Sequence, residues 1–270
     1  MKGIRSMKIY EIYDEETDRS IGVLLYYEKQ KTCIIELQDD LDEWTAPLLF
    51  TSYVKQQIYT IPRDVSFLWV KERVIPSGRQ NISDILAHHH LQSYDEMKFL
   101  EISEGKCSQD RMYIRKIDRL PKYIRKRQQQ NMLDCVLLDD CSLLCFFADG
   151  DTRKIELKRL SGIENIDKII KNEQLYRSGK VGVDGYYVTF NDSIDIPAQT
   201  LYTSGTKVPL KMKDFETFVK QNIVDTAEGC KILDCSRQNI AYMVGQRQLE
   251  PLKENVRGNL YLKGDLLRNK

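Results

Sequence analysis

The sequence holds no uninterrupted apolar run near the roughly 20 residues that a bilayer-spanning helix needs. Its start lacks a basic segment followed by an apolar one, so a cytoplasmic protein is expected. It has no CxxC pair, and its seven cysteines, an odd number, sit among apolar neighbours, as in Leu144-Cys145-Phe146. Zinc ribbons and a disulfide framework are therefore not expected, and the thiols read as reduced core residues. Net charge is scarce as well, at +1 over 270 residues, which alone gives no hint of a polyanionic partner.

Catalytic signatures are equally thin. Gly179, Gly182 and Gly185 form a GxxGxxG that is neither a P-loop nor a dinucleotide fingerprint, because strand-like residues follow where a phosphate-binding helix would stand. His88-His89-His90 invites a metal reading, yet neighbours on a helix point about 100° apart and cannot converge on one ion. Cys141 and Cys145 lie four apart in a strand-like run, and nothing in the spacing of Cys107, Gln109 and Asp110 demands a nucleophile. The acidic pairs Glu15-Glu16 and Asp39-Asp40 lie beside turns and are more simply solvated. No enzyme, metal or cofactor is expected.

What is present is length, apolar content and uneven charge. A chain of 270 residues with 41% hydrophobic residues exceeds the usual size of one core, so two or three domains are expected. Lys8 to Thr60 carries five basic against eleven acidic residues, Arg111 to Arg127 eight against Asp118 alone, and Ser236 to the end seven against three. An acidic head, a basic middle and a basic tail follow.

Alternation predicts strands over Lys8 to Tyr13, Ile21 to Tyr27 and Thr32 to Leu37, an antiparallel meander around the polar turn Glu28 to Lys31. A helical stretch is expected from Asp40 or Asp42 through Trp44, Leu48, Leu49, Tyr53 and Ile58, ended by Pro62, with Phe67 to Val70 as a short buried strand. Ile82, Ile85, Leu86 and His89, then Tyr94 to Ile102, suggest two helices that cap the sheet or form a helix-turn-helix. Arg111 to Asn131 reads as a solvated interdomain helix or a linker that touches phosphate.

Leu133 to Leu138, Ser142 to Ala148 and, after the hairpin turn Asp149-Gly150, Thr152 to Leu157 are expected to make a three-stranded sheet. Tyr186 to Phe190, Asn191-Asp192 and Ser193 to Ile196 complete a second α+β unit. This order resembles a small bacterial domain of unknown function often encoded near DNA-binding segments; the likeness covers about 70 residues and implies a fold without an activity. Lys211 to Gln221 reads as a connecting helix.

The most specific stretch runs from Asp225 to Lys263. Ala227, Cys230 and Leu233 recur every three residues, with Thr226 as the expected cap; the period breaks at Asp234-Cys235-Ser236 and reopens at Ile240, Met243 and Val244. Ser236 suits the N-cap of that second helix, whose other face carries Arg237, Gln238, Asn239 and Tyr242. Such side chains match base edges or phosphates in a major groove. Gly245 ends the helix, Arg247 follows, and Pro251 to Leu262 reads as a hairpin about the polar turn Asn255 to Asn259, with Lys253, Arg257, Asn259 and Lys263 beside the backbone.

These residues resemble the winged helix-turn-helix of the MerR-like and excisionase-like group, with Glu228, Gly229-Cys230, Ile232-Leu233 and Cys235-Ser236-Arg237 in register and Asp234 where a turn Gly is usual. The resemblance covers about one sixth of the chain. Asp tolerates a left-handed backbone better than most residues, and Gly229 weakens the first helix by about 1 kcal/mol relative to Ala. A helical hairpin that binds protein is the plainer alternative.

The expected architecture is α+β: residues 1–127, residues 131–210, and a C-terminal module over 211–270. The resemblance implies a duplex DNA partner and the role of a bacterial transcriptional regulator or mobile-element accessory factor. The alternative is an interaction protein, antitoxin-like or a host-directed inhibitor, acting through the acidic N-terminal part. The chain stops seven residues past Lys263, leaving no room for a dimerisation helix after the wing. A homodimer is therefore expected to form upstream, through an aromatic N-terminal sheet that exposes Tyr10, Tyr13, Tyr26 and Tyr27.

Overall fold

Alternating β-branched and aromatic residues make β1 (Met7–Asp14), β2 (Arg19–Tyr27) and β3 (Thr32–Leu37), which pair antiparallel in the expected meander. The computed structural model describes residues 7–256, 258–262 and 266. Then come α1 (Thr51–Lys55), β4 (Thr60–Ile61), α2 (Arg63–Lys71), α3 (Ile82–His88), α4 (Glu96–Ile102), β5 (Met112–Lys116) and α5 (Lys122–Arg127). The first sheet has the order β4-β3-β2-β1-β5.

Both faces of this sheet are covered. Tyr10, Ile12, Leu24, Tyr26, Cys33 and Ile35 pack under Trp69 and Val70 of α2 and Met97 and Leu100 of α4. On the opposite face Ile9, Val23, Leu25, Tyr27 and Ile34 meet Ile124 of α5 with Val183, Tyr186 and Tyr187. Each such fully buried large side chain contributes about 1.5–3 kcal/mol. Tyr10, Tyr26 and Tyr27 are thus core residues and Tyr13 is half-buried, so these four do not form the exposed aromatic face that was expected to carry a dimer.

Three expectations fail here. Phe67 to Val70 is helical, not a strand: the buried positions Ser66, Trp69 and Val70 have helical spacing, and a four-residue apolar run fits either period. Pro62 is the N-cap of that helix, just ahead of its first residue Arg63, where its missing amide hydrogen costs no helical bond. Ser66 joins α2 to the sheet, its hydroxyl accepting from Ile35 N at 3.0 Å and donating to Ile61 O at 3.1 Å. The long helix expected from Asp40 or Asp42 to Ile58 is instead a tight turn, in which Asp42 Oδ1 accepts from the amides of Trp44 and Thr45, followed by a 3-10 turn at Leu48–Phe50 and α1. The basic stretch 111–131 is neither linker nor solvated helix: β5 pairs with β1, and Ile124 anchors α5.

Next follow β6 (Met132–Leu137), β7 (Ser142–Phe147), β8 (Thr152–Glu156), α6 (Ile166–Lys171), α7 (Glu173–Arg177), β9 (Lys180–Val181), β10 (Tyr187–Phe190), β11 (Ile194–Pro197), α8 (Ala198–Ser204) and β12 (Thr206–Val208). The β6–β8 meander turns at Gly150, whose φ of +89° suits the Asp-Gly hairpin. It gains a fourth strand, in the order β12-β8-β7-β6, beside a second sheet β11-β10-β9. Leu143, Cys145, Phe147, Ile155, Val188, Phe190 and Leu201 share their core. The three spaced glycines are packing positions. A Cβ on Gly185 would lie 2.0 Å from Met132 O and one on Gly182 2.2 Å from the Tyr187 ring.

The last elements are α9 (Met212–Asn222), β13 (Ile223–Asp225), α10 (Thr226–Leu233), α11 (Arg237–Gly245), β14 (Lys253–Val256) and β15 (Gly258–Leu262). The whole is an α+β fold of antiparallel sheets with helices, and no described helix is long and apolar enough to cross a membrane. All seven cysteines are free thiols.

Candidate nucleic-acid interface

The C-terminal elements have a core of their own. Val224, Ile240, Leu249, Tyr261 and Leu266 are buried together, with Cys230, Ile232, Leu233, Met243 and Val244 packed around them. The sheet order β13-β15-β14 puts the strand before α10 against the second arm of the hairpin, so the module closes on itself.

Local chemistry explains each boundary. Asp225, not Thr226, caps α10: its side chain accepts from Glu228 N at 2.8 Å while Glu228 accepts from Asp225 N at 3.4 Å, a reciprocal box. Thr226 is the first helical residue, and its hydroxyl instead faces Asn259 O at 3.5 Å. Asp234 takes the left-handed conformation a turn Gly would supply, with φ 50°. Ser236 caps α11 as expected, accepting from Asn239 N at 3.3 Å. Gly229 offsets its helix-weakening effect by letting the helices close: an added Cβ would lie 3.3 Å from Ile240 and 3.4 Å from Leu266.

Docking through Ile240, Met243 and Val244 turns the rest of α11 outward. Ser236, Arg237, Gln238, Asn239 and Tyr242 are all exposed, Tyr242 at 61%. Ala241 and, past Tyr242, Gly245 are exposed as well and add no bulk to this stripe. Gln238 and Tyr242 are one turn apart on the same side. The α11 N-terminus, the positive end of the helix dipole, also favours negative charge beside Arg237.

Arg247 follows the helix with φ 56° and is exposed between Gln246 and Gln248, two exposed amides that the sequence reading passed over although Gln-Arg-Gln is itself a polar triplet. Lys253 is exposed on β14, and Asn259 is half-buried on β15. Arg257 and Lys263 lie outside the described residues. The strand Ile223–Asp225 was also missed; three residues between two helices carry too little period to register, and only its pairing with Leu260 to Leu262 reveals it. Among the described residues Arg237, Arg247 and Lys253 have no ion-pair partner.

Elsewhere, of the residues considered for catalysis, Cys107 and Asp110 meet, the thiol lying 3.7 Å from Asp110 Oδ1, on a carboxylate that Arg73 also holds. A cavity of about 590 Å³ lies between α2 and the β10–β11 turn and is lined by Arg63, Asp64, Glu164, Asp192 and Asp195, with Cys33 in its wall. Burial pushes the Cys33 thiol up to about 12, far from thiolate reactivity. Among the described residues no three His, Cys, Asp or Glu are placed to hold a metal ion. Compared with protein-family models, with curated proteins and with solved structures, the chain matches none of them, so the reading of this module rests on its own residues.

Proposed function

We propose that the chain is a sequence-specific duplex DNA-binding protein, acting as a transcriptional regulator or a mobile-element accessory factor, with residues 223–262 as a winged helix-turn-helix. The observation that carries this reading is the polar, exposed outer face of α11, Arg237, Gln238, Asn239 and Tyr242, presented by a helix whose other face is anchored in a closed core. In such an arrangement Arg suits guanine and Asn or Gln suits adenine, while Lys253 and Arg247 neutralise phosphate and fix the register.

The test is binding of the full chain to duplex DNA from upstream of its own gene, followed by fluorescence anisotropy across a salt series. Binding should weaken steeply with salt, since phosphate contacts act by releasing counterions. A chain ended at Gln221 should lose it. Full binding by the shortened chain would remove the C-terminal module from the role.

A second reading has its own observation. Trp44 and Leu48 are 86% and 93% exposed, an apolar knob beside Asp39, Asp40 and Glu43, which pair with Arg127, Arg19 and Lys55, so the apolar pair itself is the contact offered to a protein partner. An antitoxin-like or inhibitory protein would act through it. Trp44→Ser with Leu48→Ser would then abolish the biological effect while leaving DNA binding intact, and the reverse pattern favours the first reading.

A further inference from the structure

Two thiols meet across the β6–β7 hairpin. Cys135 and Cys145 are direct cross-strand partners, and the Cys145 thiol donates to Cys135 Sγ at 3.5 Å. Register brings them there. Leu138 N donates to Ser142 O at 2.9 Å, which makes those two a hydrogen-bonded pair. Pairs alternate along an antiparallel ladder, so Cys135 and Cys145, three positions on, form a non-hydrogen-bonded pair. At such a pair the Cα atoms come to about 4.5 Å and the side chains lean together, inside the span that a disulfide bridges. Two other thiols have partners of another kind: Cys33 meets the Met97 thioether at 3.8 Å, and Cys107 the Asp110 carboxylate at 3.7 Å.

The two thiols differ in access. β6 is an edge strand of its sheet and Cys135 on it is half-buried, whereas Cys145 is fully buried in the core that holds Leu143, Phe147 and Ile155. The hydrogen bond to Cys135 and burial push the Cys145 thiol up. Cys135 is therefore the thiol that meets a reagent from solvent, and Cys145 stands behind it to close the bond. Asp134, exposed beside Cys135, accepts from Cys135 N at 2.8 Å and places a negative charge at the approach. A small neutral oxidant suits that approach better than an anionic one.

We propose that Cys135 and Cys145 are a reversible oxidation site, at which hydrogen peroxide closes a disulfide across the β6–β7 hairpin. The Cys135 thiolate attacks one peroxide oxygen and the O–O bond breaks. The proton that Cys135 gave up goes to the departing oxygen, which leaves as water, and Cys135 becomes a sulfenic acid. The Cys145 sulfur then attacks the Cys135 sulfur; the S–S bond forms, the S–O bond breaks, and the hydroxyl leaves with the Cys145 proton as a second water. Two thiols and one hydrogen peroxide thus give one disulfide and two waters. Closure turns two side chains already in contact and leaves the strand register in place. A dithiol reverses it by exchange. Neither cysteine belongs to the C-terminal module, so the site stands or falls separately from the proposed function.

The experiment treats the folded full chain with millimolar hydrogen peroxide, alkylates the remaining thiols in denaturant, and maps sulfur links by mass spectrometry without reduction. Cleavage before Asp139 and Asp140 separates Cys135 from Cys145. Two of the seven thiols should disappear into a Cys135–Cys145 link, return with dithiothreitol, and leave the circular dichroism spectrum unchanged. Cys141 stays in the same fragment as Cys145, so Cys141→Ser is the companion variant: the link should persist in it and vanish in Cys135→Ser. Cys145→Ala should leave Cys135 as a sulfenic acid that dimedone labels, because the thiol that resolves it is gone. No link in the folded chain would overturn the proposal. So would a link that needs Cys141, one that joins two chains, one that forms only in urea, or a Cys135 that dimedone does not label in Cys145→Ala.

Discussion

Arginines do different work in the two parts of the molecule. Between the first sheet and the elements after it, Arg63 holds Asp195 with two hydrogen bonds of 2.6 and 3.0 Å, and Arg127 binds Glu36, Asp39 and the carbonyls of Tyr59 and Leu37. In the C-terminal module Arg237 and Arg247 point outward with no ion-pair partner among the described residues. By sequence alone the 111–127 stretch is the more basic; its Arg115 and Arg127 are tied to acids of the first sheet, while Arg111, Lys116, Arg119, Lys122, Arg125 and Lys126 stay exposed without an ion-pair partner among the described residues. A cation's availability to an external anion depends on whether the fold has already supplied its counter-charge, which no count of residues reports.

The largest effect should come from breaking the paired side. Glu36 is fully buried, so Arg127→Ala strands a carboxylate and should cost about 3–5 kcal/mol in urea denaturation. Glu36→Gln should cost much less, because Arg127 keeps Asp39 and the neutral amide is easier to bury. Equal costs for the two would erase the distinction between a pair held inside and cations left outside.

In the C-terminal module, Ile240→Ala should cost about 2–5 kcal/mol, felt locally. Hydrogen exchange should rise in α10 and α11 while the main unfolding transition stays in place, since that core is separate from those of the two sheets. A shift of the main transition would mean that the cores melt as one.

The pH dependence is subtler. Burial pushes the Glu36 carboxyl up, against the opposing pull of Arg127 and Thr60. A carboxyl whose folded pKa exceeds its unfolded value favours folding below the unfolded value and loses that contribution as pH rises through the folded one. The wild-type chain should therefore lose stability relative to Glu36→Gln as pH climbs out of the ordinary carboxylate range. A constant difference would place Glu36 in a less confined site.

How much could be read from residues alone depended on how local the determining physics was. The meander β1–β3, the Gly150 hairpin, the Ser236 cap and the outward set on α11 all follow from neighbours within a few positions. What escaped was set at a distance. Phe67 to Val70 is helical because α2 packs on the sheet; Tyr10, Tyr26 and Tyr27 are buried because both sheet faces are covered; β13 exists because β15 pairs with it.

The smallest expected effect is also diagnostic. Lys253→Ala should leave sequence preference unchanged and reduce the slope of log affinity against log salt by about 0.9, one phosphate's worth. Arg127→Lys, inside the paired region, should leave that slope unchanged.

The most direct measurement compares Gln238→Ala and Asn239→Ala with the wild-type chain on a preferred duplex and on random duplex of equal length. Loss of roughly 1–3 kcal/mol on the preferred duplex with little change on the random one is the result that groove reading by α11 requires. Equal losses on both duplexes, or none on either, would contradict it.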